Sequence, residues 1–391
     1  MARPLIIVAD AHIWGVEQAF ASLPGHQVEL RVVEHADIRP ITVKDADILL
    51  TRSSTRVDAS LLEGSRVRFA ATATIGDDHY DKVYLHSRGI AFANAAGSST
   101  GSVIEYMLTA LLTLQHQGLL DLRSSTLGII GVGRIGNRLA EPASRLGLRI
   151  LLNDPPRARS EGLPGFLSLH ELLQQCDVLT LHTPLTLEGP DATHHLIGAP
   201  ELRCFRGHGI INAARGACVD NAAILDWLRE DDRRFAVLDC WENEPLPERQ
   251  LLGHPGVAIA TPHIAGHSLD GKAANTFYVY TALCRWLGVH GDWRPQLPDE
   301  AEAVAIACGD DELDTLHRAS RALCPIERDD AAMRPWAGLE DAELRQAFRR
   351  YRRRYPARRA WQHAPIRLIG EDAALLTRTR ELAHAIGMRC V

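Results

Sequence analysis

The sequence has no apolar run near the about 18–20 residues that a membrane-spanning helix needs. A membrane partner is therefore not expected. A secretory leader is not expected either. The opening "MARPLIIVAD" reads as a short buried strand, without the charged region, longer apolar region and small-residue cleavage site of a signal peptide. The eight cysteines are scattered and make no C-x-x-C pair. Zinc ribbons and disulfide scaffolds are thereby set aside, no metal is expected, and a reducing cytoplasm is the expected compartment. Positive charge is not in excess either. The formal net charge is −6, so the molecule as a whole has no electrostatic reason to seek nucleic acid or an anionic surface. Internal repeats are absent.

What remains is the profile of an ordinary globular chain, 46% hydrophobic and 24% charged. Its 391 residues exceed what one core organises, so two or three domains are expected. Short apolar runs alternate with helical spacing. "LIIVAD" (5–10), "ADILLTR" (46–52), "VRFAATATIG" (67–76) and "GIAFANAAG" (89–97) read as strands of one parallel sheet, with a helix over "WGVEQAFASL" (14–23). "SVIEYMLTALLTLQHQG" (102–118) is a long apolar helix expected to bridge two domains. A second set follows: "TLGIIGVG" (126–133), a helix over 134–147, then "LRILLND" (148–154), "DVLTLHTP" (177–184), "HGIINAAR" (208–215), "RFAVLDCW" (234–241) and "VAIATPH" (257–263). Such β–α alternation predicts a doubly wound α/β fold. The Pro- and Gly-containing stretch 291–300 reads as a linker, and the tail beyond it carries a basic run, "RQAFRRYRRRYPARRAW" (345–361).

"GVGRIG" (131–136) fits G-x-G-x-x-G and sits where the motif has meaning: after a strand, opening a helix, with Asp154 at the end of the next strand. Gly131 permits the turn, Gly133 lets a pyrophosphate approach the backbone, and Gly136 lets helix and strand close up; Arg134 and Ile135 lie between. The helix N-terminus offers N–H groups to phosphate. Asp154 would bond the adenosine ribose and favour NAD over NADP, a preference that nearby Arg157 and Arg159 soften. Arg215, just past a strand, could grip a carboxylate through two parallel hydrogen bonds. Glu244 in "LDCWENEP", if beside His263 in "TPHIAG", would fix that imidazole as a general acid/base.

These motifs, "GIIGVGRIG", "DVLTLHTPL", "INAARG", "LDCWENEP" and "TPHIAG", resemble the successive signatures of the D-isomer-specific 2-hydroxyacid dehydrogenases. The resemblance implies a catalytic trio of Arg215, Glu244 and His263. It also implies a Rossmann NAD domain (99–266) inserted in a flavodoxin-like substrate domain (1–98 and 267–290). A closer likeness, to a branch of that family acting on a phosphorylated 2-hydroxy acid, rests on "TRSSTRVDASLL", "TATIGDDHYD", "NDPPRAR", "IAGHSLDGKA" and "IERDDAAMR". It implies a small C-terminal α+β domain (300–391) through which the chain forms a homodimer. It implies substrate contacts at Ser53, Thr74, Gly76 and His267, and NAD contacts at Asp154, Thr183, Asp239 and Gly266. Three places depart from that branch's pattern: the acid Asp77, Ser98-Ser99, and His267 in place of a tyrosine. An added carboxylate at 77 is expected to disfavour an anionic substrate by about 1 kcal/mol.

The expected reaction is oxidation of the 2-hydroxy acid to the 2-oxo acid, with the substrate in a cleft between domains. The same chemistry on another 2-hydroxy acid, or an NAD(H)-binding regulator without turnover, are the alternatives. The arginine run is read as a solvated surface, or as a segment docking near the partner's active site. His182, His194 and His195 are read as structural, having no acidic partner at ligand spacing.

Overall fold

The computed structural model describes residues 3–162, 165–300, 302–356 and 358–391. The chain divides into two compact units, Met1–Ser99 with Ser268–Asp299, and Thr100–His267 with Glu300–Val391.

In the first unit, β1 (Leu5–Asp10), β2 (Val28–Val33), β3 (Ile48–Thr51), β4 (Phe69–Thr72) and β5 (Ala91–Asn94) form a parallel sheet in the order β2-β1-β3-β4-β5. This is the flavodoxin-like order. Alternate side chains enter opposite cores, as the two-residue period of a strand requires. Ile7, Ala9, Ile48 and Leu50 pack with Val279, Tyr280 and Leu283 of the helix Leu269–Leu287, whereas Ile6, Val8, Leu49 and Ala70 line the other face. Ser268 starts that helix by accepting the Gly271 N–H at 2.9 Å, and Gly288 ends it at φ 72°, where a residue without Cβ is favoured. β1 spans its whole apolar run, whereas β3, β4 and β5 are shorter than theirs at both ends.

In the second unit, β6 (Thr126–Ile130), β7 (Arg149–Asn153), β8 (Val178–Leu181), β9 (Gly209–Asn212), β10 (Phe235–Leu238) and β11 (Val257–Ala260) lie parallel in the order β7-β6-β8-β9-β10-β11. Strand order reverses at β6, which puts a topological switch point, the usual ligand crevice of such sheets, beside the glycine turn. Ile129, Ile211, Val237 and Ile259 face a core shared with Tyr106, Leu108 and Leu111 of the helix Thr100–His116. Ile130, Leu179, Ile210 and Ala236 face the second core. The helix expected to bridge two domains therefore lies wholly in this unit, buried along most of its length.

The tail forms a parallel pair, β12 (Val304–Ala307) and β13 (Ile366–Ile369), with helices Glu312–Leu323, Ile326–Met333, Asp341–Arg353 and Ala373–Ala385. Ile306, Leu316 and Ile366 join the same core as Leu108. A buried ion pair fastens this junction: Arg358 Nη1 donates to Glu105 Oε2 at 2.5 Å, and the Trp361 N–H donates to Glu105 Oε1 at 2.8 Å. Charges this deeply buried persist only when paired and hydrogen-bonded.

Candidate active site

The carboxyl edge of the second sheet gathers three side chains from three consecutive strands. Arg215 follows β9, Glu244 follows β10 and His263 follows β11. His263 Nδ1 lies 2.8 Å from Glu244 Oε2. A carboxylate can only accept, so Nδ1 carries the hydrogen and Nε2 is left as the basic nitrogen. Glu244 Oε1 accepts the Trp241 N–H at 2.8 Å, so both carboxylate oxygens are placed. Burial acts to raise the Glu244 carboxyl. The charge and hydrogen bond of His263, then the Arg352 guanidinium and the Trp241 N–H, outweigh it and hold the group below its ordinary range.

The turn carrying His263 is built around Asp239. Its Oδ1 accepts the Thr261 hydroxyl and the Ile264 N–H, both at 2.7 Å, and Oδ2 accepts the Ala265 N–H at 3.0 Å. Tyr106 Oη pairs with Thr261 Oγ1 at 2.7 Å. Burial raises the Asp239 carboxyl against these bonds and the nearby imidazole. Asp239 is 1% exposed. Its carboxylate is thus committed to the turn, a task that the expected NAD contact did not include. His263 itself sits at φ 55°, a left-handed conformation uncommon outside glycine.

Arg215 is held by a close approach of two loops. A Cβ on Gly216 would overlap the Trp241 carbonyl, so only glycine lets the Arg215 turn pack on the loop that carries Glu244. Asn212 Nδ2 donates to the Arg215 carbonyl at 2.9 Å, and Arg215 Nη1 donates to the Ala214 carbonyl at 2.7 Å.

The glycine turn has the geometry that a pyrophosphate needs. A Cβ on Gly131 would meet the His182 carbonyl carbon at 2.8 Å, and one on Gly136 would overlap the Gly131 carbonyl, whereas around Gly133 nothing lies within 4 Å. Arg134 is exposed, Ile135 half-buried, and the helix Gly136–Arg145 starts without a side-chain cap. Asp154 Oδ2 accepts the Val132 N–H at 2.8 Å and Oδ1 accepts the Arg157 N–H at 3.0 Å, so this acid also braces the turn. Arg157 pairs with Glu161 at 2.6 Å and donates to the Val132 carbonyl at 2.7 Å. Arg159 pairs with Asp191 at 2.5 Å. Neither arginine stands uncommitted for a 2′-phosphate. Thr183 and Gly266 lie half-buried on the same edge.

On the first sheet, Ser53 lies exposed beyond β3, and Thr74 and Gly76 beyond β4, with Thr74 Oγ1 donating to the Gly76 carbonyl at 2.8 Å. The unfavourable acid is compensated. Asp77 Oδ1 pairs with Lys82 Nζ at 3.0 Å, and Oδ2 accepts from Asn94 Nδ2 at 2.9 Å. His267 lies in the second unit, its ring 5.7 Å from that of Tyr355.

Several site residues carry no sequence signal. His195 was expected to lack an acidic partner, but its Nε2 donates to Glu242 Oε1 at 2.6 Å, and its ring stacks on His194 at 4.1 Å. The acid lies 47 positions away, so no spacing rule finds it. Cys240 sits with Glu244 and His263 in a group whose possible ligand atoms lie within 4.8 Å of one another. Burial, then the charges of Asp239 and Glu244, raises its thiol well above the usual range, which disfavours the thiolate a metal needs. His182 is pushed down to about 4 by burial and stays neutral near pH 7.

The chain is similar to known proteins at the level of domain, fold and whole sequence. The profile of the D-isomer specific 2-hydroxyacid dehydrogenase NAD-binding domain matches residues 109–265. The D-lactate dehydrogenase of Aquifex aeolicus, solved with NAD and lactic acid, superposes with a TM-score of 0.61 at 21% identity, over 72% of this chain and 95% of that one. At this identity the likeness shows the fold alone. The matched profile assigns residues 109–265 to an NAD-binding domain of the D-isomer specific 2-hydroxyacid dehydrogenase class. Full-length relatives narrow the class. An erythronate-4-phosphate dehydrogenase of Pseudomonas fluorescens is 40% identical over 98% of this chain and 100% of its own length. One of Marinobacter nauticus is 43% identical over 98% and 99%. The chain belongs to the erythronate-4-phosphate dehydrogenase family. Among the described residues no helix is long and apolar enough to cross a membrane.

Proposed function

We propose that this chain oxidises 4-phospho-D-erythronate at C2 to 2-oxo-3-hydroxy-4-phosphobutanoate with NAD, a step of pyridoxal phosphate synthesis. The observation that carries the chemistry is the 2.8 Å His263–Glu244 pair, set on the same sheet edge as Arg215 and the glycine turn. Arg215 grips the substrate carboxylate with two parallel hydrogen bonds. His263 Nε2 takes the proton of the C2 hydroxyl as the C–H bond to C2 breaks. Glu244 keeps the hydrogen on Nδ1 and stabilises the imidazolium that forms, as the acid of a catalytic triad does. Bound NAD supplies the hydride acceptor. Gly131, Gly133, Arg134, Ile135 and Gly136 would hold its pyrophosphate, with Asp154 at the ribose and Thr183, Asp239 and Gly266 along the edge. Ser53, Thr74, Gly76 and His267 are proposed substrate contacts, and residues 300–391 the dimer contact.

The test is NADH formation with 4-phospho-D-erythronate, unphosphorylated erythronate and a panel of other 2-hydroxy acids. Turnover of the phosphorylated acid well above the rest supports the proposal. Preference for another acid replaces the substrate but keeps the chemistry, and no turnover with any of them removes the enzyme reading.

A further inference from the structure

The arginine run of the tail has no role in the chemistry described so far, yet one of its members reaches the site. The helix Asp341–Arg353 places Arg352 so that Nε donates to the carbonyl of His263 in the same chain, at 3.2 Å. We infer that Arg352 is a positioning residue of this active site, orienting the His263–Glu244 pair from behind. This rests on the proposed reaction.

Three sets of observations support it. First, the backbone of His263 is pinned at both poles. Its N–H donates to the Asp239 carbonyl at 2.7 Å and the Thr261 carbonyl at 3.1 Å, while Arg352 takes the carbonyl. A residue at φ 55° holds such a conformation only where its surroundings fix it. Second, Arg352 stands on a braced platform. Phe348 is buried beneath the helix, with the guanidinium 5.9 Å from its ring centre. Tyr351 and Tyr355 hydroxyls donate to buried Asp329 at 2.6 and 2.8 Å. Asp330 Oδ1 accepts the Ala260 N–H at the end of β11 at 2.6 Å, and Arg334 bonds Asp330 and the Val257 and Leu252 carbonyls. The tail is thereby locked to the strand that delivers His263. Third, the Arg352 charge acts on the site, favouring the ionised form of Glu244 and of Cys240. Among the described residues, Asp239 and Cys240 after β10 and Arg215 after β9 also act on this cluster. The expected docking of the run near a partner's active site is not needed for this contact, which lies within one chain.

The experiment compares Arg352→Gln, Arg352→Lys and, as a control from the exposed part of the run, Arg349→Gln. Arg352→Gln should lose about tenfold in kcat, the cost of a charge-assisted hydrogen bond, with KM for NAD within about twofold and an unchanged melting temperature. Removing a nearby cation lets the pair hold its proton more tightly, so the acid limb of the kcat/KM profile should move up by about half a pH unit. Arg352→Lys should restore the limb and part of kcat, and Arg349→Gln should match the parent. An Arg352→Gln enzyme with parental kcat and an unmoved limb overturns the inference, as does a loss confined to stability. If the parent turns over no hydroxy acid, the function fails separately. The positioning is then read from the imidazole NMR resonances of His263 at one pH, where superimposable spectra for parent and Arg352→Gln reject it and displaced resonances sustain it.

Discussion

Replacing Glu244 by glutamine exchanges one oxygen for an NH2 group and leaves the shape of the site alone. Both oxygens of Glu244 accept, from His263 Nδ1 and from the Trp241 N–H. A glutamine offers one acceptor and one donor. If its NH2 faces Trp241, two donors oppose each other. If it faces His263, Nδ1 must become the acceptor and the ring hydrogen moves to Nε2, so the nitrogen aimed at substrate stops being a base. The lost attraction between carboxylate and imidazolium at such contact is about 4 kcal/mol at an effective dielectric of about 20. The two side chains are 31% and 21% exposed, so screening lowers this to about 2–3 kcal/mol, on the order of a hundredfold in rate. Steady-state NADH formation across pH should show that loss in kcat with KM for NAD little changed. A Glu244→Gln enzyme within threefold of the parent would refute the role given to this carboxylate.

Other outcomes follow from the same structure. Gly216→Ala forces a Cβ into the Trp241 carbonyl and should cost about 3 kcal/mol of stability in denaturant titration, together with most of the activity. Asp154→Ala removes the acceptor of the Val132 N–H and should raise KM for NAD about tenfold; an unchanged KM would show that the turn does not need it. Burial, then the charge of His116, pushes His317 down to about 4. As pH falls below the ordinary histidine value the unfolded chain takes up this proton and the fold does not, so its contribution is present at neutral pH and lost on acidification. Between pH 7 and pH 5 the parent should lose about 2 kcal/mol more than His317→Leu, read from urea midpoints at the two pH values.

The fold was legible where burial is two-sided. Strands such as "TLGII" and "VLTL" are covered on both faces and therefore read as unbroken apolar runs. By the same logic β2, "VELRVV", escaped notice: it is a sheet edge whose residues are mostly half-buried, and its charges interrupt the run. The helix Leu269–Leu287 begins inside a motif-like stretch and was read only as a signature. Candidate residues of the site could be named because glycine turns and strand ends leave short local patterns. Their supports were not, since Asp239 works through backbone N–H groups that any sequence supplies. Arg352 meets His263 across 89 positions, and the pairing of Asp77 with Asn94 depends on two neighbouring strand ends.

The most direct measurement is the turnover of His263→Ala beside its affinity for NADH. A rate lower by about 10²–10⁴ is expected, with NADH binding within threefold of the parent. Retained turnover would contradict this.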